Sequence, residues 1–338
     1  MKKLILYYFL LITSCTASFS QATIQQLLNN GTNDEKINIV ILSEGYRESE
    51  LTKFITDANK VLDYIFKQVP FSDNKTYFNA FAISVASNES GSDKPASNIY
   101  KDTYFNSTYN CNNIQRLICL EGDGMSKAFR HLVELIPDYD IPVMIVNDNE
   151  YGGSGGSLSI ISNNPSSITA AVHEIGHSFA SLADEYESAY PGYNPYEKPN
   201  VTAITSRDSI KWKSFILQTT PIPTPETSQY SGVIGLFEGA MYQTKGWYRP
   251  KMNCMMRSLG IPFCEVCSTE VLKKVRSLIE PPRISINFVT SKNLCPGNSF
   301  VVSVLATKAF NKPNEYTIHR KSNVNVLVHC LSSCACEY

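Results

Sequence analysis

Two histidines four residues apart, with a glutamate beside the first, carry the clearest chemistry in this chain: His173-Glu174-Ile175-Gly176-His177. On an α-helix, residues at that spacing lie about 40° apart around the axis and about 6 Å apart along it. Both imidazoles can therefore reach one Zn²⁺ at about 2.0–2.1 Å from nitrogen. Glu174 is placed to hold a water rather than the metal. The chain has only five histidines in 338 residues, so a chance match to this pattern is rare. The alternative is an ordinary amphipathic helix carrying two surface histidines.

Such a helix needs a start, an apolar face and a stop. Ser166 and Ser167, just after Pro165, offer a candidate cap. Ile168, Val172, Ile175 and Phe179 recur at three- and four-residue spacing and supply the face. The stop matters most, because a catalytic zinc site typically has three protein ligands plus a water. No third histidine lies nearby, so a carboxylate is the natural candidate. Asp184 follows His177 by seven residues. On an unbroken helix it would sit about 10 Å farther along the axis, too far to share the ion. If Asp184 is the ligand, the helix must end near Ala180 or Ser181 and the chain must fold back. No glycine is present there to ease the turn. Glu185 is the runner-up, and a later glutamate such as Glu197 or Glu238 is the third option.

The elements upstream can hold such a helix. Residues 37–42 form a β-branched apolar run bounded by Gly45, which predicts a buried strand. A helix is expected over 48–69, ended by Pro70, and strands over 78–85 and 141–146. Between them, 87–113 is a polar loop, with a helix expected over 123–136. The oxygen-rich stretch 88–93 lacks the spacing of a calcium loop, so a plain loop is the preferred reading. A glycine run, 152–156, precedes an expected strand over 157–162. Its backbone is suited either to close approach by a substrate strand or to a flexible hairpin turn. Residues 187–245 are long and aperiodic, so they are expected to line the lower half of a cleft. A closing helix is expected over 268–280.

The longer string HEIGHSFASLADEY, from His173 to Tyr186, resembles the immunoglobulin-A-peptidase-like family of bacterial zinc metallopeptidases. The segments 39–46, 70–71, 87–91, 151–156, 246–250, 254–257 and 263–267 resemble it too, in order, so the likeness covers residues 35 to 280. The resemblance implies an α/β (α+β) zincin or metzincin-like catalytic domain, with a mixed sheet and the HExxH helix. It also implies endopeptidase activity; one catalytic Zn²⁺ is expected on His173, His177 and a carboxylate, Asp184 first. It does not imply an immunoglobulin substrate. Met256 is the better match to the methionine turn that lies under the zinc in metzincins. Tyr248 or Arg249 is the expected second donor to the oxyanion. The family's separate N-terminal domain is expected to be missing, because only a short stretch precedes Ile37.

Composition limits the rest. Lys plus Arg is 30 and Asp plus Glu is 31, so no charge excess points to nucleic acid or an anionic membrane surface. A hydrophobic content of 43% supports a packed core. Residues 1–21 read as a secretory signal, with Lys2 and Lys3 before an apolar core too short to span a bilayer. Cleavage near residues 20–22 is favoured over a lipid anchor at Cys15. A secreted or cell-surface protein without a transmembrane helix is therefore expected. Ten cysteines fit an oxidising compartment. Cys111 and Cys119 are spaced to close a local loop. Cys264-x-x-Cys267 has the spacing of half a zinc knuckle, but no second paired CxxC exists. A disulfide from Cys254 to one of the two is preferred over structural zinc.

From residue 283 the character changes to β-branched alternation, an Ig-like segment too short for a whole sandwich of about 100 residues. Domains are thus expected at 1–21, 35–282 and 283–338. The functional reading is a secreted zinc endopeptidase acting on protein or peptide, with Glu174 as general base. The alternative is an exported binding or adhesion module on the same scaffold, without turnover.

Overall fold

A computed structural model of the chain describes residues 22–190 and 192–279, together with the backbone of 299–310 and 318–329. The first elements are β1 (Thr23–Leu28), β2 (Ile37–Glu44), α1 (Leu51–Ile65), β3 (Phe78–Ser84) and the short β4 (Ser107–Thr108) and β5 (Cys119–Leu120). Then come α2 (Gly124–Leu135), β6 (Tyr139–Val146), β7 (Gly153–Ser154), β8 (Ser159–Ser162) and α3 (Pro165–Ala180). The last are β9 (Phe237–Ala240), β10 (Gln243–Arg249), α4 (Glu265–Ile279), β11 (Ser299–Phe310) and β12 (Ile318–His329).

Six strands form one mixed sheet in the order β1-β3-β2-β6-β8-β7. The inner four run parallel, and β1 and β7 are antiparallel edges. Every residue of β2 is buried, because helices cover both faces of a parallel sheet. The period of two decides which side chain goes where. Ile37, Ile39 and Ile41 join Phe54 and Val61 of α1 and Val172 and Ile175 of α3. Val40 and Leu42 join Ala128 and Leu132 of α2 on the opposite face. A one-residue slip would exchange the two sets, so burial pins the register. That register presents the C-terminal end of β8 to α3.

The expected strands and helices of this region form, with ends moved by a few residues. The helix expected over 48–69 is shorter, because 48–50 make a tight 3₁₀ turn and α1 ends at Ile65. The stretch before Ile37 does more than lead in: β1 pairs along β3. The 87–113 loop is pinned by Glu44, fully buried, whose carboxylate accepts the Phe105 and Ser107 N–H groups at 3.0 and 2.9 Å. Burial pushes that carboxyl up despite those bonds. In the oxygen-rich stretch, Glu89 accepts from Asp102 N–H and Asp93 from Lys101 N–H, a loop that ties itself. Cys111 and Cys119 are disulfide-bonded.

Among the described residues, no helix is long and apolar enough to cross a membrane. β11 and β12 pair antiparallel as a hairpin. The signal segment 1–21, Cys15 and the start of the expected Ig-like segment, 283–298, lie outside the described residues.

Candidate active site

Helix α3 starts two residues earlier than a cap at Ser166 would place it. Asn164, not Ser166, is its cap: the Asn164 Oδ1 accepts the Ser166 N–H at 2.9 Å, and Pro165 is the first helical residue. An Asn–Pro start suits a helix, since proline lacks the N–H that would go unsatisfied there. The far end makes the reversal that Asp184 requires. Ser181 takes a left-handed conformation, φ 56°, and the Leu182 N–H turns back to Gly176 O at 3.0 Å. A non-glycine residue in that region costs roughly 1–2 kcal/mol. Burial of Leu182 and the recovered backbone bonds offset it.

The reversal brings three donor atoms together. His173 Nε2 and His177 Nε2 lie 3.0 Å apart, and Asp184 Oδ1 lies 3.1 and 3.2 Å from them. Each imidazole is fixed through its other nitrogen: His173 Nδ1 bonds Met255 O at 3.0 Å and His177 Nδ1 bonds Leu182 O at 2.8 Å. Metal-ligating histidines are held this way, with Nδ1–H donating and Nε2 free to ligate. Ligands around a tetrahedral Zn²⁺ stand about 3.3 Å apart, given bonds of about 2.0–2.1 Å, so the donor set fits a small divalent cation. Burial alone would push the His177 imidazole down, but the adjoining Asp184 carboxylate overrides it and raises it to about 9. Burial likewise opposes ionisation of Asp184, yet hydrogen bonds from both histidines hold its carboxyl far below the usual range.

The other carboxylates considered for the third position go elsewhere. Glu185 points into a cluster of cysteines. Glu197 binds Lys211 and the Ala203 N–H, and Glu238 binds Lys245 and the Gly246 N–H. Tyr248 and Arg249 are not at the cluster's contacts either. Tyr248 is core, and Arg249, fully buried, holds Glu226 and the carbonyls of Glu238 and Gly239. The tyrosine that touches the cluster is Tyr242, whose hydroxyl donates to Asp184 Oδ2. It sits at the β9–β10 tip, where Met241 and Tyr242 are both left-handed, φ 49° and 64°. Two backbone bonds hold that tip: Met241 N–H to Asp184 O and Tyr242 N–H to Tyr186 O, each 3.0 Å.

Asn200 pins the same turn from below. Fully buried, its side chain accepts the Ala183 N–H at 2.7 Å and donates to Ala183 O and Glu185 Oε1, both at 2.9 Å. Asn200→Ala leaves those buried groups unpaired and is expected to cost about 2–4 kcal/mol. A lowered denaturation midpoint checks this, and an unchanged midpoint contradicts it.

Glu174 stands outside the three-donor set. It lines a cleft of about 260 Å³ with Arg116, Tyr151, Ala170, His173 and Tyr186. The glycine run lies against it: a Cβ added at Gly155 would stand 2.0 Å from Glu174 Oε2. The outer edge of β7 is already bridged at Gly153, by Arg116 O and the Ile118 N–H. Gly155 is the residue of the run that lies against Glu174. Beneath α3, Met256 is buried against Gly176, where a Cβ would meet its sulfur at 2.7 Å. Gly176 thus lets the loop carrying Met255 come close enough to bond His173.

The sequence profile of a family described as IgA Peptidase M64 matches this chain over residues 25–230 and 226–275. No curated protein matches it.

Proposed function

Since the chain belongs to the M64 peptidase family, and is thus a peptidase that binds peptide substrates, we propose that it is a secreted zinc endopeptidase of the zincin type. The observation that carries this reading is the convergence of His173 Nε2, His177 Nε2 and Asp184 Oδ1 beside a cleft that Glu174 lines. Two imidazoles and one carboxylate suit Zn²⁺ better than the all-oxygen cations. Three protein ligands leave an open position, as catalytic sites require. Zn²⁺ held there supplies a Lewis acid and a water acidic enough to ionise at about pH 7.

The chain's own groups do the rest. The carbonyls of Met255 and Leu182 fix both imidazoles in the ligating tautomer. Tyr242 and the backbone bonds at the hairpin tip hold Asp184. The Glu174 carboxylate takes a proton from the attacking water and returns it to the leaving nitrogen. The glycines at 155 and 156 let a peptide approach Glu174 without side chains in the way. Tyr242, whose hydroxyl bonds Asp184, and Tyr186, whose hydroxyl bonds Tyr242, replace Tyr248 and Arg249 as donors to the oxyanion.

Gly155→Ala tests the geometry. Its Cβ displaces Glu174, and a misplacement of about 1 Å costs about 10²-fold. The expected result is a loss of that order in kcat/KM with bound zinc unchanged. Elemental analysis tests the site itself: wild type carries zinc, and His173→Ala with His177→Ala loses one equivalent together with hydrolysis. A double variant that keeps both contradicts the reading.

A further inference from the structure

Behind the histidine cluster lies a second group of donors. Cys254, Cys264, Cys267 and Glu185 offer one ligand atom each, all within 4.8 Å of one another, and all four residues are buried. The preferred disulfide from Cys254 does not form: the three cysteines are free thiols. We propose that these four residues bind a second, structural divalent cation of the thiophilic class, Zn²⁺ first, as a clamp behind the active site.

Three observations converge on it. The first is an orphaned atom. Glu185 Oε1 meets Cys267 Sγ at 3.1 Å and the Asn200 amide, whereas its Oε2 is fully enclosed with no hydrogen-bond partner. A buried carboxyl oxygen without a partner is costly, and a cation removes that cost. The second is the sulfur geometry. The Cys264 N–H donates to Cys254 Sγ at 3.2 Å and the Cys267 N–H to Cys264 Sγ at 3.5 Å. Cys264 precedes α4 directly, so its sulfur takes the cap position, where the helix N-terminus favours a thiolate. The third is the arithmetic of pairing. A disulfide between any two sulfurs leaves the third thiol over and Glu185 Oε2 still without a partner. One tetrahedral ion satisfies all four donors at once and leaves no open position, the pattern of a structural rather than a catalytic site. Softness decides the ion, since three sulfurs exclude Mg²⁺ and Ca²⁺.

The placement has a consequence for the histidines. Glu185 follows Asp184, and its N–H donates to Met256 O at 2.8 Å. Cys254 precedes Met255, whose carbonyl fixes His173. The clamp thus ties both supports of the histidine cluster to the start of α4. The site itself does not depend on the catalytic reading; its effect on catalysis does.

The test is Co²⁺ substitution of the full chain. The wild type is expected to gain a thiolate-to-Co²⁺ charge-transfer band. The His173→Ala, His177→Ala double variant keeps that band while losing one metal equivalent, and Cys264→Ser loses the band with the other equivalent. This separates failure of the clamp from failure of the peptidase reading. Should Cys264→Ser not fold, alkylation of the zinc-loaded wild type decides. Chelation alone then makes Cys254, Cys264 and Cys267 reactive in the native protein, whereas protection that chelation leaves unchanged is mere burial and overturns the proposal. No band in the wild type, a band that survives Cys264→Ser, or a disulfide within the trio overturns the proposal.

Discussion

Glu174→Gln is expected to lose peptide-bond hydrolysis by about 10²–10⁴-fold in kcat, the usual contribution of a general base, while keeping its metal. Glutamine matches glutamate in size, so it still fits against Gly155, where the approach is too close for any larger neighbour. Its amide can donate and accept hydrogen bonds but cannot take a proton. Because Glu174 is not one of the three converging donors, the metal has no reason to leave. Paired kinetics and elemental analysis read both halves. A variant that keeps its rate removes Glu174 from the chemistry. One that loses rate and metal together makes Glu174 a structural support instead.

Asp184→Ala is expected to empty the histidine site. Loss of a residue that merely supports a ligand costs about 10–100-fold in metal affinity, and loss of a ligand costs more. The turn should survive, since Asn200 and Met256 O still hold its neighbours. The metal-free variant carries a second signature. In the metal-free wild type, His177 is raised to about 9 by Asp184. A raised imidazole contributes stability that is complete below its unfolded pKa of about 6.5 and fades as pH rises through about 9. Without Asp184, burial pushes His177 down and that contribution disappears. A pH series of denaturation midpoints on the metal-free proteins shows the difference. An unchanged zinc affinity in Asp184→Ala would leave the ligand set wrong.

How much of this was legible in the sequence follows from how local each signal is. The helix with its two histidines and apolar face was legible because both obey one period within one element. The central strands were legible because burial on both faces leaves unbroken apolar runs. Asp184 was legible only as a condition, a reversal near Ala180 or Ser181 with no glycine to announce it. Ser181 makes that turn because of what Leu182 and Asn200 contribute, and neither is a local turn signal. Asn164 could have been found, since Asn before Pro is a strong cap, but Ser166 and Ser167 drew the reading inward. Tyr242 and Asn200 had no signal. They act through contacts spanning 58 and 17 residues, which no spacing encodes. Arg249 illustrates the reverse: in a promising string, it is spent on Glu226 and two carbonyls inside the fold. The cysteines misled for a related reason. Many cysteines in a chain read as exported suggest disulfides, and only the meeting with Glu185, far away in sequence, sets the trio apart.

The most direct test of the central claim is hydrolysis of an unfolded protein, such as reduced casein, by the purified chain. It is assayed as isolated, after chelation, and after zinc is returned. The zinc-peptidase account predicts cleavage that chelation abolishes and zinc restores, with Glu174→Gln inactive throughout. Cleavage indifferent to chelation, or none from a chain shown to carry zinc at His173 and His177, would contradict it and leave a non-catalytic binding module on this scaffold.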